Sequence, residues 1–420
     1  MSATATEPPV TSTLPDFAEI ESPLAHLSPE RLDALARELD ALHDEVYADL
    51  GERDARYIRS TIALHRRLVL GARALLLGSR RRPLWLAGVA ALSLAKILEN
   101  MEIGHNVMHG QWDWMNDPDI NSQSWDWDTA SPADSWRHSH NYEHHTFTNI
   151  RGLDRDLGYE IMRIDPHQRW RPIYLLQPLY NLLLMGFFEW GVALHDLNWE
   201  AMGKGEKPKA QVLEELRAIG VKARRQLVKD YVAFPALSAA VAAATSAAVS
   251  PRRGLWRGGA GRGAGRQGSR TAARAFKSTL AADFTANIVR NVWAHSIIFC
   301  GHFPDQTYTF SKAEAADESP GARYVRQLTG SANIDGSPLF HFLAGNLSFQ
   351  VEHHLYPDMP SSRYAEIAPR VRDICHRYGL PYNTGPLGKQ LGTVHRTILR
   401  LAFPGGRPRP KPGPYTPEGG

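Results

Sequence analysis

The chain has 420 residues, with 48 Lys and Arg against 44 Asp and Glu and a formal net charge of +4. With 43% hydrophobic residues it can bury a core, and so small a net charge gives no electrostatic case for nucleic acid, although a pI near 9.0 suits an anionic membrane surface. Two distant cysteines, Cys300 and Cys375, exclude a disulfide scaffold, a cysteine zinc site and a thioredoxin-like motif, and the first residues show no basic or apolar region of a secretory signal.

Residues 1–27, rich in Thr, Pro, Ser and Ala, read as a mobile tail ahead of one domain over 28–400, with a second, Pro/Gly-rich tail at 401–420. Ser28-Pro29 opens a helix, with a capping oxygen followed by proline in the first turn. Leu32, Leu35, Leu39, Leu42, Val46 and Leu50 then form its apolar stripe. Residues 57–78 predict a further helix whose Arg59, Arg66, Arg67 and Arg73 limit its entry into lipid.

The mean hydropathy of −0.35 is low for a membrane protein, but the apolar residues are concentrated. The pattern predicts four spans, near 83–103, 173–195, 231–250 and 279–301, each about the 20 residues that a helix needs to cross hydrocarbon. The competing reading is four buried helices of a soluble α protein. Arg80–Arg82 precede the first span, and Lys222, Arg224, Arg225 and Lys229 precede the third. By the positive-inside bias both flanks are cytoplasmic, which places both termini and every histidine block on that side. Residues 251–274 hold seven Arg and seven Gly where a short turn should join two spans. They read as a flexible basic loop, an insertion or a reading-frame error.

Histidine is the unusual residue: 18 in the chain, six of them between 105 and 145. His105 and His109 sit four apart at the polar end of the first span, on one helix face. In His138-Ser-His140-Asn-Tyr-Glu-His144-His145, His140 and His144 share a face and His145 lies about 100° round. Four histidines in eight residues have no core-packing explanation. Gln350-Val-Glu-His353-His354 supplies an adjacent pair that reaches toward two metals. So many imidazoles with so little cysteine suit a first-row metal, and seven or eight exceed what one ion holds, so two ions are inferred. An eighth ligand is expected from His302, with His295, two helical turns earlier, as its rival. His138 divides evenly between ligand and orienting roles. Gln350 is expected to orient a ligand or bound water rather than to ligate. His167, His195, His341, His376 and His395 read as structural or exposed.

The motifs HNVMH, HNYEHH and QVEHH, with the surrounding NMEIGHNVMHGQWDWM, RNVWAHSIIFCGHFPD and FQVEHHLYPDMP, resemble the membrane-bound fatty acid desaturases. The likeness spans roughly residues 55–400 and is nearest to bacterial acyl-CoA desaturases served by a separate ferredoxin-type reductase. It implies an all-α integral membrane bundle with a cytoplasmic helical cap holding two irons. The implied reaction uses O2 and two electrons to place a cis double bond in a long-chain acyl-CoA or acyl lipid. No cytochrome b5 or Rossmann signature is present, so electrons are expected from a ferredoxin-type protein or NAD(P)H reductase. Glu143, Asp154, Asp156, Glu352 and Asp358 are available to fix imidazole tautomers. Trp112, Trp114, Trp125 and Trp127 read as interfacial anchors or as acyl-path lining. Arg80–Arg82, Lys222, Arg224 and Arg225 are candidates for the CoA phosphates. The competing functions are a di-iron lipid hydroxylase on the same scaffold and a membrane metal-binding protein.

Overall fold

The computed structural model describes residues 22–249, 261–304 and 306–405. Most of the two expected tails (1–21 and 406–420) and the first part of the Gly/Arg-rich stretch (251–260) lie outside the described residues.

The N-terminal helix Pro29–Ala48 begins as its sequence dictates, with the Ser28 hydroxyl accepting from the Arg31 backbone N–H at 3.4 Å and Pro29 in the first turn. Its buried Leu35, Leu39, Leu42 and Val46 pack with Val325 and Leu328 of helix Pro320–Gly330 and Ile367, Val371 and Ile374 of helix Tyr364–Tyr378. Helices Pro29–Ala48 and Pro320–Gly330 come close at Gly321, where a Cβ would stand 2.1 Å from the Leu32 carbonyl oxygen.

Helix Glu52–Leu77 turns through Gly78–Arg81 into Arg82–Ile97, which continues through the π-helical segment Leu98–His105 to Met108. A second hairpin pairs Phe234–Val249 with the 42-residue helix Gly261–His302. The first hairpin's turn meets this helix near its middle, where the Ser278 hydroxyl donates to the Ser79 carbonyl at 2.8 Å and the Trp85 indole to the Ser278 carbonyl at 3.0 Å.

Among the described residues, two helices are long and apolar enough to cross a membrane, Arg82–Met108 and Lys209–Ala248. The expected 83–103 span lies in the first, and the expected 231–250 span coincides with the second half of the other as far as Ala248. The 279–301 segment is part of the 42-residue helix, but Asp283 and Arg290 interrupt its apolar run. The 173–195 segment is not one helix. It comprises a 3-10 turn Pro172–Leu176 and helices Gln177–Gly186 and Phe188–His195, broken at Phe187 (φ −123°, ψ 35°). Asn291 supports the break: its amide donates to the Gly186 carbonyl at 3.0 Å, and its oxygen accepts from the Glu189 backbone N–H at 3.4 Å. Residues 261–274 are helical rather than a loop.

Several charges inside these apolar segments are paired. Asp230, fully buried, accepts from Arg73 at 2.9 Å and Lys96 at 2.8 Å, and Arg73 also binds Asp283. Arg73 is thus largely buried against the bundle, where its partners compensate its desolvation.

The expected common orientation of the two basic flanks does not hold. Arg80–Arg82 sit at the hairpin turn, and Arg82 is about 35 Å along the helix axis from His105. Lys222 lies at the histidine end, where it binds Asp126 and the Trp127 carbonyl. The two basic flanks therefore occupy opposite ends of the bundle and cannot both mark the side that carries the histidines.

The all-α expectation is also amended. Asn333–Asp335 and Thr384–Pro386 form a short parallel ladder, with Asn333 opposite Thr384, which ties the segment before Gln350 to the C-terminal helix Leu387–Leu401.

Candidate metal centre

Four stretches of chain deliver the histidines, one of them the end of helix Gly261–His302, which carries His302. His105 ends the π-helical segment of the first hairpin, and His109 follows one turn later, with ring centroids 4.5 Å apart. Arg137–His144 is also π-helical. Because a π turn closes i→i+5, His144 and His145 fall on either side of His140, with centroids 5.1 and 5.0 Å from it. The wider winding therefore brings His145 into the site, where a regular α-helix would turn it aside. The short helix Gln350–Leu355 buries His353 and His354.

These rings meet in two groups. His105, His109, His140 and His353 each offer a ligand atom within 4.8 Å of one another, and so do His144, His302 and His354. His145 stands between the groups, its centroid 4.7 Å from His109, 4.9 Å from His353 and 4.6 Å from His354. Nε2 of His109, His140, His144, His353 and His354, Nδ1 of His302 and both nitrogens of His145 are buried without a hydrogen-bond partner. Each such atom costs about 1–3 kcal/mol, so together they would consume a stability of the usual 5–15 kcal/mol or so. Metal ions that accept these lone pairs remove the penalty. The donor set, almost wholly imidazole and split in two, fits two first-row ions.

The opposite nitrogens are held. Nδ1 of His144 lies 3.0 Å from Oδ1 of Asp154, a carboxylate that also accepts from the backbone N–H of Asn149 and Asp156. Nδ1 of His140 lies 3.3 Å from Asp156. The Tyr364 hydroxyl gives its proton to the Tyr356 carbonyl and accepts from Nδ1 of His353 at 3.3 Å. Gln327 donates to the His145 carbonyl, which turns its oxygen toward Nδ1 of His354 at 3.1 Å. Each contact places the proton on Nδ1 and leaves the Nε2 lone pair facing inward.

Burial, and then the neighbouring imidazoles, hold His145, His353 and His354 well below the usual histidine range, so they are neutral. His144 departs from this pattern. Burial lowers it too, but the Asp154 carboxylate outweighs burial and raises it.

The other candidates are placed differently. Gln350 is buried with its Nε2 3.1 Å from Nε2 of His302, and its side chain packs where a Cβ on Gly301 would stand. For His302 to present a lone pair on Nδ1, its Nε2 must carry the proton and the Gln350 amide must turn its oxygen toward it. His138 is not in the cluster. Its side chain is 68% exposed on the outer face, 3.5 Å from Glu143. His295 is also outside, bonded to Asn181 at 3.1 Å and stacked on Phe299, because two turns of helix separate it from His302. Of the five carboxylates, Asp154 and Asp156 touch the rings. Glu143 pairs with Arg155, Glu352 with Asn333 and Tyr382, and Asp358 with Tyr47.

His195, read as structural or exposed, is buried with Nε2 2.9 Å from Asp156, so that carboxylate links it to His140. Tyr364, Gln327 and Trp136 were also without a sequence signal; Trp136 stacks on His140 at 4.6 Å. Trp112 is wholly buried beside Tyr57 and does not face the headgroup layer.

A mainly apolar cavity, partly open to its surroundings, adjoins the centre. His105, His140 and His302 lie on its wall with Met101, Trp127, Phe188, Val192 and Ile298. Trp127 and Thr129 also line an open groove with Arg66, Lys222 and Arg225, whose charges are matched by Glu99, Asp126 and Asp128.

Residues 83–386 match the family described as Fatty acid desaturase. The NADPH-dependent stearoyl-CoA 9-desaturase of Mycobacterium tuberculosis is 46% identical over 380 residues, covering 90% of this chain and 82% of the relative. The chain belongs to the fatty acid desaturase family. As such a desaturase it is an oxygen-dependent oxidoreductase of lipid metabolism, and neither the hydroxylase nor the metal-binding reading is favoured. More distant relatives are the sn-1 linoleoyl-lipid 6-desaturase of Synechocystis, 23% identical over 73% of this chain and 77% of that one, and the Delta(5) fatty acid desaturase A of Dictyostelium discoideum, 25% identical over 70% and 58%. No solved structure matches the desaturase.

Proposed function

We propose that this desaturase places a cis double bond at carbon 9 of a long-chain acyl-CoA, stearoyl-CoA foremost, with electrons drawn from NADPH through a separate reductase or ferredoxin-type protein. The observation that carries the reading is the cluster of unpartnered, buried imidazole nitrogens on the wall of an apolar cavity. An unactivated methylene offers nothing for acid–base groups to act on. Two iron ions held by His105, His109, His140, His144, His145, His302, His353 and His354 would supply the oxidation with O2.

The chain's own residues do the rest. Asp154, Asp156, Tyr364 and Gln327 fix the tautomers, and Gln350 orients His302. The cavity strips water from the acyl chain and holds its methylenes beside the histidines. The groove shared at Trp127 and Thr129 admits the thioester end; its matched charges give the CoA phosphates no net attraction, and Lys222 is already engaged by Asp126. The histidine end faces the cytoplasm, where acyl-CoA and NADPH reside, in agreement with the basic residues Lys222–Lys229 at that end.

The test is expression in a host without its own desaturase, with iron and a reductase supplied, followed by mass spectrometry of the acyl chains. Oleoyl product dependent on O2 and NADPH is expected. Unchanged lipids, or a hydroxylated product, would contradict the reading.

A further inference from the structure

Glu189 is the one charged residue of the 173–195 segment and lies on the wall of the apolar cavity. It is buried and paired with Arg290, which is only 1% exposed. Gln226 donates to its second oxygen at 2.6 Å, and Asn291 accepts from Arg290 at 3.2 Å. Two helices give the position of this pair relative to the histidines. Along Phe188–His195, Glu189 lies about 9 Å from His195; along Gly261–His302, Arg290 lies about 18 Å from His302. Both displacements run from the metal centre into the bundle. The cavity wall therefore carries imidazoles and, further into the bundle, the Glu189 carboxylate, which is paired to Arg290.

We propose that the Glu189–Arg290 pair is the floor of the acyl cavity and fixes the longest chain that the desaturase accepts. The proposal rests on the reading that this cavity holds the acyl chain. A methyl terminus gains by entering apolar space, but it cannot displace a buried ion pair, because separating the partners leaves an uncompensated charge. Apolar walls of Phe188, Val192 and Ile298 select any acyl chain. The charged floor supplies a stop, since each further methylene must be accommodated by bending or by leaving the cavity.

The test uses the full chain in membranes with a mixture of acyl-CoAs of graded length in one vessel, so that product ratios do not depend on the amount of active protein. The double variant Glu189→Ala/Arg290→Met removes both charges together and leaves neither buried alone. For a chain two carbons beyond the wild-type limit, its conversion relative to the wild-type optimum should rise about tenfold, with the double bond still at the same distance from the thioester. An unchanged length profile overturns the proposal. If the double variant fails to insert, Glu189→Asp keeps the pair and withdraws one methylene. A rise for the next longer chain then supports the floor, and an unchanged profile rejects it. A wild-type protein that desaturates no acyl-CoA overturns the parent reading and this one together, whereas wild-type activity with identical profiles overturns this one alone.

Discussion

His144 and Asp154 meet through Nδ1 and Oδ1 at 3.0 Å, while the far nitrogen of the same ring is buried with no partner. This one contact fixes the tautomer, aims the lone pair and raises the basicity of the ring. Asp154→Asn keeps the shape but removes the charge and one of the two acceptor oxygens, since Asn149 N–H and Asp156 N–H bind different oxygens of the carboxylate. Iron affinity should fall about 10–100-fold with the chain still inserted. Iron retention against a chelator measures this, and wild-type retention would contradict it.

Three histidines from the candidate set should separate by metal content. His145→Ala should lose iron, because the ring stands between the two groups with both nitrogens unpartnered. His138→Ala should keep its iron, since that ring is exposed on the outer face. His295→Ala should also keep it while losing stability by about 1–3 kcal/mol, because Asn181 is left unpaired. Plasma mass spectrometry of purified variants decides each case.

Gly321→Ala should drive helices Pro29–Ala48 and Pro320–Gly330 apart, because the new Cβ would stand 2.1 Å from the Leu32 carbonyl oxygen. Overpacking of this kind costs about 1–3 kcal/mol. Gly71→Ala, with nothing within 4 Å of its Cβ, should instead stabilise its helix by about 0.5–1 kcal/mol. Melting temperatures in detergent should move in opposite directions.

Arg363 is buried and binds both oxygens of Asp54 at 2.7 Å, joining the N-terminal helices to the segment after the last histidine pair. Asp54→Ala leaves Arg363 with Asp49 and Glu366, both largely exposed. A loss of about 3 kcal/mol is expected in denaturant titration, and a neutral result would show that the exposed partners suffice.

The histidine pairs were legible because spacing within one helical turn decides which rings share a face. His105 with His109, and His140 with His144, can be read from a helix period. The place of His145 could not, because it depends on π winding that leaves no mark in composition. His195, Tyr364 and Gln327 arrive from distant segments and carry no local signal. Hydropathy located the apolar segments but missed how charges are absorbed: Asp230 compensates Arg73 and Lys96 from another helix. The break at Phe187 was hidden for the same reason, since Asn291 on a separate helix satisfies the freed backbone groups. The basic flanks misled because Arg80–Arg82 belong to a hairpin turn, a relation fixed by packing rather than by charge.

Iron quantified per chain, in wild-type protein purified from iron-replete cells, decides whether two metal ions sit among these imidazoles. Two irons per chain are predicted. One iron or none in protein that is folded and inserted, or zinc in their place in an active preparation, would contradict it.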